Sequence, residues 1–164
     1  VTVVCQSGDL FATELPAFAH GCNCAGAMGA GIAVEFRNRW PAMYAEYRRS
    51  CQTGMFQPGG VHVWQEFEPD GDRRRVIFNL MTQQAPGIRA QLPAIQQAVA
   101  AMTRWAEWHG LPAIGMPRIG AGLGGLSWPD VAEVVEKAAG PSQVQVTVFT
   151  PGEQEKEGSH GGHR

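Results

Sequence analysis

The segment Gly120-Ala121-Gly122-Leu123-Gly124-Gly125 places four glycines in six residues. No helix or strand interior tolerates so much backbone entropy, so the segment is a loop, and the surrounding fold must have a use for bare backbone there. It follows a short apolar run, Ala113 to Met116, that reads as a strand. It precedes Ser127, Pro129 and Asp130, an N-terminal helix signature. A second glycine run, Gly26-Ala27-Met28-Gly29-Ala30-Gly31, also leads into a helix. Such loops aim backbone N–H groups and the partial positive charge of a helix start at one point, making an anion site without Lys or Arg. Two of them in a small chain suggest two adjacent phosphates. Neither is a P-loop, because no Gly-Lys-Ser/Thr follows, and Gly26-x-x-Gly29-x-Gly31 lacks the dinucleotide fingerprint spacing.

The rest of the chain supplies strands and helices around these loops. Val1 to Cys5 predicts a strand running into the turn formers Gly8 and Asp9, and Phe18 to Asn23 predicts a second, weaker one. Met28, Ile32, Phe36 and Trp40 recur every four residues, which predicts a helix from Met28; Pro41 breaks it and opens another to about Ser50. Val61 to Trp64 and Val76 to Leu80 are β-rich and flank Glu68-Pro69-Asp70-Gly71-Asp72, an antiparallel hairpin with a four- to five-residue loop. Leu92, Ile95, Val99, Met102 and Ala106 form the longest helical stripe, closed by Gly110 and Pro112. Val144, Val146 and Val148 alternate in a last strand. Helices between strands imply parallel pairing and the hairpin adds an antiparallel edge, so the expected architecture is α/β, with helices on both faces of a mixed central sheet.

Length and charge narrow the function. A chain of 164 residues fits one domain, expected over residues 1–150, with 151–164 a disordered tail that has no apolar anchor. A net charge of -2 provides no global field for a polyanion, so an anionic ligand must be held locally. No apolar run reaches membrane-span length and no secretory signal is evident, so a cytoplasmic protein without a membrane partner is expected, and a monomer. The four cysteines are too irregular for a disulfide framework and are read as thiols. His20-x-Cys22-x-Cys24 is read as buried small residues beside a strand, not as a metal site, and no cofactor is expected.

Four ordered stretches carry a resemblance. Gly8-Asp9-Leu10, Met28-Gly29-Ala30-Gly31-Ile32-Ala33, Met116-Pro117-Arg118-Ile119-Gly120-Ala121-Gly122-Leu123 and Val148-Phe149-Thr150 together resemble a macrodomain, the three-layer α/β/α module that binds ADP-ribose. The branch most resembled contains terminal ADP-ribose protein glycohydrolase and the macrodomain antitoxins that act on ADP-ribosylated DNA. The resemblance implies that Asp9 accepts from the adenine amino group beside Leu10, and that Phe149 lies against the adenine. It implies that Met28, Gly29, Ala30, Gly31 and Ile32 form the first phosphate loop. Pro117, Ile119, Gly120, Ala121, Gly122, Leu123 and Gly124 would form the second, and Asn23 would approach the distal ribose.

The chain departs from the glycohydrolase pattern at two positions. Alignment through Leu80-x-Thr82 puts Gln83 where those relatives carry a nucleophilic Lys, and alignment through Gly120-x-Gly122-Leu123 puts Gly124 where they carry an assisting Asp. An amide forms no Schiff base and glycine carries no proton. The expected function is therefore hydrolysis of ADP-ribose from ester-linked, glutamate-type modified protein by water held near Asn23, Gln83 and Gln84. The alternatives are a non-catalytic reader, a de-ADP-ribosylase acting on DNA through a basic face built from Arg37, Arg39, Arg48 and Arg49, and an O-acyl-ADP-ribose deacylase.

Overall fold

The computed structural model describes residues 3–151; the expected tail from Gly152 to Arg164 lies outside them. The elements are β1 (Val3–Ser7), β2 (Ala17–Asn23), α1 (Ile32–Arg39), α2 (Pro41–Gln52), β3 (Val61–Phe67), β4 (Arg73–Gln83), α3 (Leu92–Trp108), β5 (Ala113–Pro117), α4 (Trp128–Ala139) and β6 (Gln145–Thr150), with single 3-10 turns at Leu10–Ala12 and Gly122–Gly124. The strands form one sheet in the order β1-β6-β5-β2-β4-β3. All neighbours pair in parallel except β3, which closes the edge as the antiparallel half of the predicted hairpin. The mixed sheet with helices on both faces is as expected. Among the described residues no helix is long and apolar enough to cross a membrane.

Strand alternation sorts the core into two layers. Val76, Phe78 and Leu80 of β4 and Val146 and Val148 of β6 pack with Ile95, Val99, Met102 and Ala106 of α3 and with Val131 and Val135 of α4. The opposite face carries Phe18, Cys22, Ile77 and Met81, covered by Leu10, Phe36 of α1 and Met43 and Tyr47 of α2. Each large apolar side chain so buried contributes about 1.5–3 kcal/mol. The helix-closing role read for Gly110 is realised in full: at φ +71, its amide donates to Glu107 O at 3.2 Å while that of Leu111 donates to Ala106 O at 2.8 Å. This is a Schellman motif, with Leu111 and Ala106 both buried beside it.

Two local expectations change. The first helix begins at Ile32, not Met28, because its N-cap Gly31 sits at φ 61, ψ -149, a conformation that interrupts the helical path. Met28 is nonetheless buried, so the four-residue apolar spacing reports a loop anchor in the core and not a helical turn. Ser127 holds the N-cap position of α4 but makes no side-chain cap bond.

A buried polar chain crosses the α1–α2 side of the sheet. His20 Nε2 donates to Asn79 Oδ1 at 2.6 Å, Asn79 Nδ2 donates to His62 Nδ1 at 2.9 Å, and His62 Nε2 donates to Glu46 Oε2 at 3.2 Å. Each donor points the same way, ending on a half-exposed carboxylate, and the His20 ring stacks flat on Phe36 at 3.8 Å. Burial lowers the His20 pKa from 6.5 to about 4, and burial also lowers that of His62 against the pull of Glu46. Folding thus favours the neutral rings. Their stability contribution is complete above pH 6.5 and is lost as pH falls toward 4, with about 3 kcal/mol expected from His20 at 1.36 kcal/mol per pKa unit. Urea titrations at pH 7.5 and 4.5 check this: His20→Gln is expected to lose at least 1 kcal/mol less stability between the two pH values than the parent chain.

Candidate functional site

The two glycine runs emerge from the carboxyl ends of β2 and β5, neighbours in the sheet, and face each other across a cleft of about 530 Å³. Ligands bind at the carboxyl edge of α/β sheets because loops and helix starts converge there. Within the first run, Met28, Gly29, Ala30 and Gly31 make no backbone hydrogen bond through their amides, and no side chain caps α1. Within the second run, Ile119, Gly124, Gly125 and Leu126 donate to neighbouring carbonyls, whereas the amides of Gly120, Ala121 and Gly122 find no acceptor in the loop. Two runs of free donors therefore border one cleft. Positive φ favours glycine at both Gly120 (+72) and Gly31 (+61), and space is short as well: a Cβ on Gly120 would lie 2.6 Å from Ile95 Cδ1, and one on Gly31 would lie 3.1 Å from Leu123 Cδ1. Exposed Leu123 thus spans from the second loop to the first.

The first loop is held from beneath by Asn23. Its Oδ1 accepts from the amides of Ala25 and Ala27 at 3.0 and 3.2 Å, its Nδ2 donates to Ala27 O at 2.8 Å, and its carbonyl accepts from the buried Tyr47 hydroxyl. Asn23 lines the cleft, but its side-chain oxygen is occupied by the loop. Gln83 also lines the cleft; its Nε2 donates to Ala85 O at 3.1 Å, and its Oε1 lies 3.8 Å from where a Cβ on Gly124 would stand. Gln84 is exposed and outside the lining.

At the β1–β6 end, Asp9 Oδ1 accepts from Phe11 N at 2.9 Å and caps the turn that follows, leaving its other oxygen without a partner among the described residues. Leu10 and Phe149 are buried together there, meeting over Gly115, where a Cβ would lie 2.7 Å from Leu10 Cδ1 and 3.1 Å from Phe149 Cε2. Asp9, Leu10, Gly122 and Phe149 stand outside the cleft lining, and Met28 to Ile32, Pro117, Ile119, Gly120, Ala121, Leu123 and Gly124 stand in it. Cys22, Thr82, Pro86, Gly87 and Arg118, none of them expected in the site from the sequence, also line it. Thr82 Oγ1 donates to Cys22 O at 3.3 Å, a pairing across 60 positions that no local pattern signals.

The chemistry of the lining is restricted. Among the described residues it contains no Asp, Glu, His or Lys; Cys22 and Arg118 are the only titratable side chains among them, and burial pushes the Cys22 thiol up, so it stays protonated. His20 Nε2 is already donated to Asn79 Oδ1, which leaves Cys22, 3.3 Å away, without a base. Lys137 is exposed on α4 and Lys156 lies outside the described residues. The site can hold an anion by backbone dipoles, and among the described residues it offers no side-chain base or lysine nucleophile.

Gly31→Ala tests the loop geometry. Its φ, ψ region is populated almost only by glycine, so the substitution is expected to destabilise the chain by about 1–3 kcal/mol in urea titration, whereas Gly29→Ala, with negative φ and nothing within 4 Å of its Cβ position, is expected to change stability by less than about 1 kcal/mol.

Comparison with known proteins agrees with this geometry. The macro domain family model matches residues 19–135. The chain is 31% identical over 127 residues to the DNA ADP-ribosyl glycohydrolase of Mycobacterium tuberculosis, covering 77% of this chain and 36% of that protein. It is 29% identical over 144 residues to the ADP-ribose glycohydrolase OARD1 of Homo sapiens, covering 87% of this chain and 88% of that one. The solved macrodomain of Mycobacterium tuberculosis DarG superposes with a TM-score of 0.81 at 28% identity, over 92% of this chain and 98% of that one. The chain spans only 36% to 41% of the length of the DNA ADP-ribosyl glycohydrolases it matches. Both glycine loops fall inside the matched residues, and the sheet that presents them is the one these proteins share; the chain belongs to the macrodomain family.

Proposed function

We propose that this macrodomain binds ADP-ribose across the cleft and hydrolyses it from an ester-linked, glutamate-type acceptor on protein, with water as nucleophile and no catalytic lysine. The observation that carries the reading is the pair of free amide runs facing each other across a lining that has no side-chain base. A diphosphate suits two adjacent donor runs, as in other helix-start anion sites. In this reading the adenine lies against Phe149 and Leu10 and donates to the free oxygen of Asp9, and the distal ribose lies toward Asn23 and Gln83. The relative named ADP-ribose glycohydrolase OARD1 supports the ligand and the reaction class.

Of the three polar side chains expected to hold the water, Gln83 has its amide oxygen free and lines the cleft. Asn23 shapes the loop, and Gln84 stands at the rim. Water oriented by Gln83 Oε1 attacks the anomeric carbon of the distal ribose; the bond to the acceptor oxygen breaks, and the carboxylate leaves with the electron pair. A phosphate oxygen of the ligand takes the proton, since the lining supplies no base. A carboxylate is a good leaving group, so positioning and fixed dipoles suffice for modest turnover.

ADP-ribosylated DNA is the second acceptor, favoured by the relatives named DNA ADP-ribosyl glycohydrolase. Two measurements test the reading. Calorimetry is expected to show ADP-ribose binding that weakens by about tenfold in Asp9→Ala, as loss of a charge-assisted hydrogen bond worth about 1.5–3 kcal/mol requires; full affinity in that variant contradicts the adenine placement. Glutamate-linked ADP-ribosylated protein and ADP-ribosylated DNA, incubated separately in ¹⁸O-water, are expected to release ADP-ribose with the label on the distal ribose, and Gln83→Ala is expected to lower kcat by about tenfold with KM little changed. Label in the glutamate carboxylate would place the attack on the ester carbonyl instead. No release above a buffer blank from either substrate would make the protein a reader.

A further inference from the structure

Three guanidinium groups on the α1–α2 side of the molecule lie over aromatic rings. Arg39 stands 4.4 Å from the centroid of Phe11, Arg75 stands 4.5 Å from Phe18 and 6.0 Å from Trp40, and Arg37 stands 5.9 Å from Tyr44. The rings beneath Arg39 and Arg75 touch one another, with Phe11, Phe18 and Trp40 pairwise about 6 Å apart. Among the described residues none of the three arginines has a carboxylate within 4 Å, whereas Arg74, next along β4, reaches Glu66 at 3.6 Å and Glu68 at 3.4 Å. Arg75 Nε is buried with no hydrogen-bond partner among the described residues, and beside the larger pull of Glu66 the Arg75 guanidinium feels the like charges of Arg74 and Arg39. Like charges brought together with an orphaned donor are an arrangement that an external anion relieves.

The arginines also continue toward the cleft. Arg48, exposed near the end of α2, packs against Gly26 in the first glycine loop, its Cα 3.4 Å from the glycine's Cβ position. Pro41, at the other end of α2, follows Arg39 and Trp40 directly. Seven residues of α2, roughly 10 Å of helix, therefore separate the cleft rim from the Arg39–Arg75 pair, with Arg37 and Tyr44 between. We propose that this face, Arg48 to Arg37 to Arg39 and Arg75, is a track for a single nucleic-acid strand whose modified end occupies the cleft. The proposal rests on the second acceptor reading above. Guanidinium groups held over rings offer N–H donors to phosphates and planar cations to bases, a combination suited to a strand of alternating phosphates and bases. An acidic peptide has no such planar units, and the chain's negative net charge confines any polyanion to this local face.

The test uses the full chain, a fluorescein-labelled single-stranded DNA of about fifteen nucleotides without ADP-ribose, and saturating free ADP-ribose to fill the cleft, read by anisotropy over a salt series. Binding is expected to persist with the cleft filled. The double variant Arg37→Gln, Arg39→Gln is expected to bind at least tenfold more weakly and to flatten the slope of log affinity against log salt by about 1.4, at about 0.7 per lost phosphate contact on a single strand. Its calorimetric affinity for ADP-ribose and its melting temperature are expected to stay at parent values, which separates a lost track from a misfolded chain. Arg39→Lys keeps the charge but not the planar guanidinium, and is expected to fall between. Absence of strand binding, displacement of the strand by ADP-ribose, or an unchanged slope in the double variant would overturn the track. So would equal affinity for poly-glutamate of matched charge. Intact strand binding with no release of ADP-ribose from modified DNA would support the track and count against the acceptor reading alone.

Discussion

The structure depends on backbone amides that are kept unpaired at the carboxyl edge of the sheet. An unsatisfied N–H is costly when buried, and the fold tolerates two runs of them only because they open on one cleft where a ligand or solvent can accept. Gly31 and Gly120, both at positive φ, turn the chain so that the runs face each other. Ile95 lies beneath Gly120 and Leu123 reaches over to Gly31, so a side chain at either would also have to displace a neighbour. Asn23 and Tyr47 fix the first loop from below, and the pairing of β2 with both β5 and β4 fixes the spacing between the loops. Pre-set dipoles of this kind do not have to reorganise when the anion arrives, which is the basis of their strength.

The same arrangement limits the chemistry. Among the described residues, a cleft lined mostly by glycine, alanine and apolar side chains, with Asn23, Thr82, Gln83 and Arg118 as polar groups, leaves nothing to take a proton from a reacting water except a bound ligand itself. Gln83 and Gly124, the positions that the resemblance matches to a Lys and an Asp, are neighbours in the structure, with Gln83 Oε1 3.8 Å from where a Cβ on Gly124 would stand. A Cβ on Gly124 would meet that of Ala90 at 3.1 Å, so the loop has settled around the glycine, and reinstating the acid would require the Ala90 turn to shift.

Much of this was legible from the chain because glycine patterns are local. The loops, the hairpin around Gly71 and the Gly110 closure each follow from a few adjacent residues, and each is found where it was read. What escaped was non-local or ambiguous. Met28 fits a helical stripe and in fact plugs the core from a loop, since burial of an apolar residue looks the same in either conformation. The chain from His20 through Asn79 and His62 to Glu46 joins β2, β4, β3 and α2, and no spacing rule links residues so far apart. Asn23 was read as a group near a ligand; its side chain proves to be taken up by the loop, which only the folded path of Ala25 and Ala27 could disclose. The arginine face on α1 and α2 was visible as composition, but its stacking on Phe11, Phe18 and Tyr44, and the part played by Arg75 from a distant strand, were not.

In the proposed complex backbone amides, not side-chain cations, hold the anion. Titration of ¹⁵N-labelled protein with ADP-ribose, followed by amide chemical shifts, distinguishes the two. Large downfield proton shifts are expected at Gly29, Ala30, Gly31, Gly120, Ala121 and Gly122, with the arginine side-chain signals little moved. Shifts confined to arginine side chains, or the absence of any change at those six amides under saturating ligand, would contradict it.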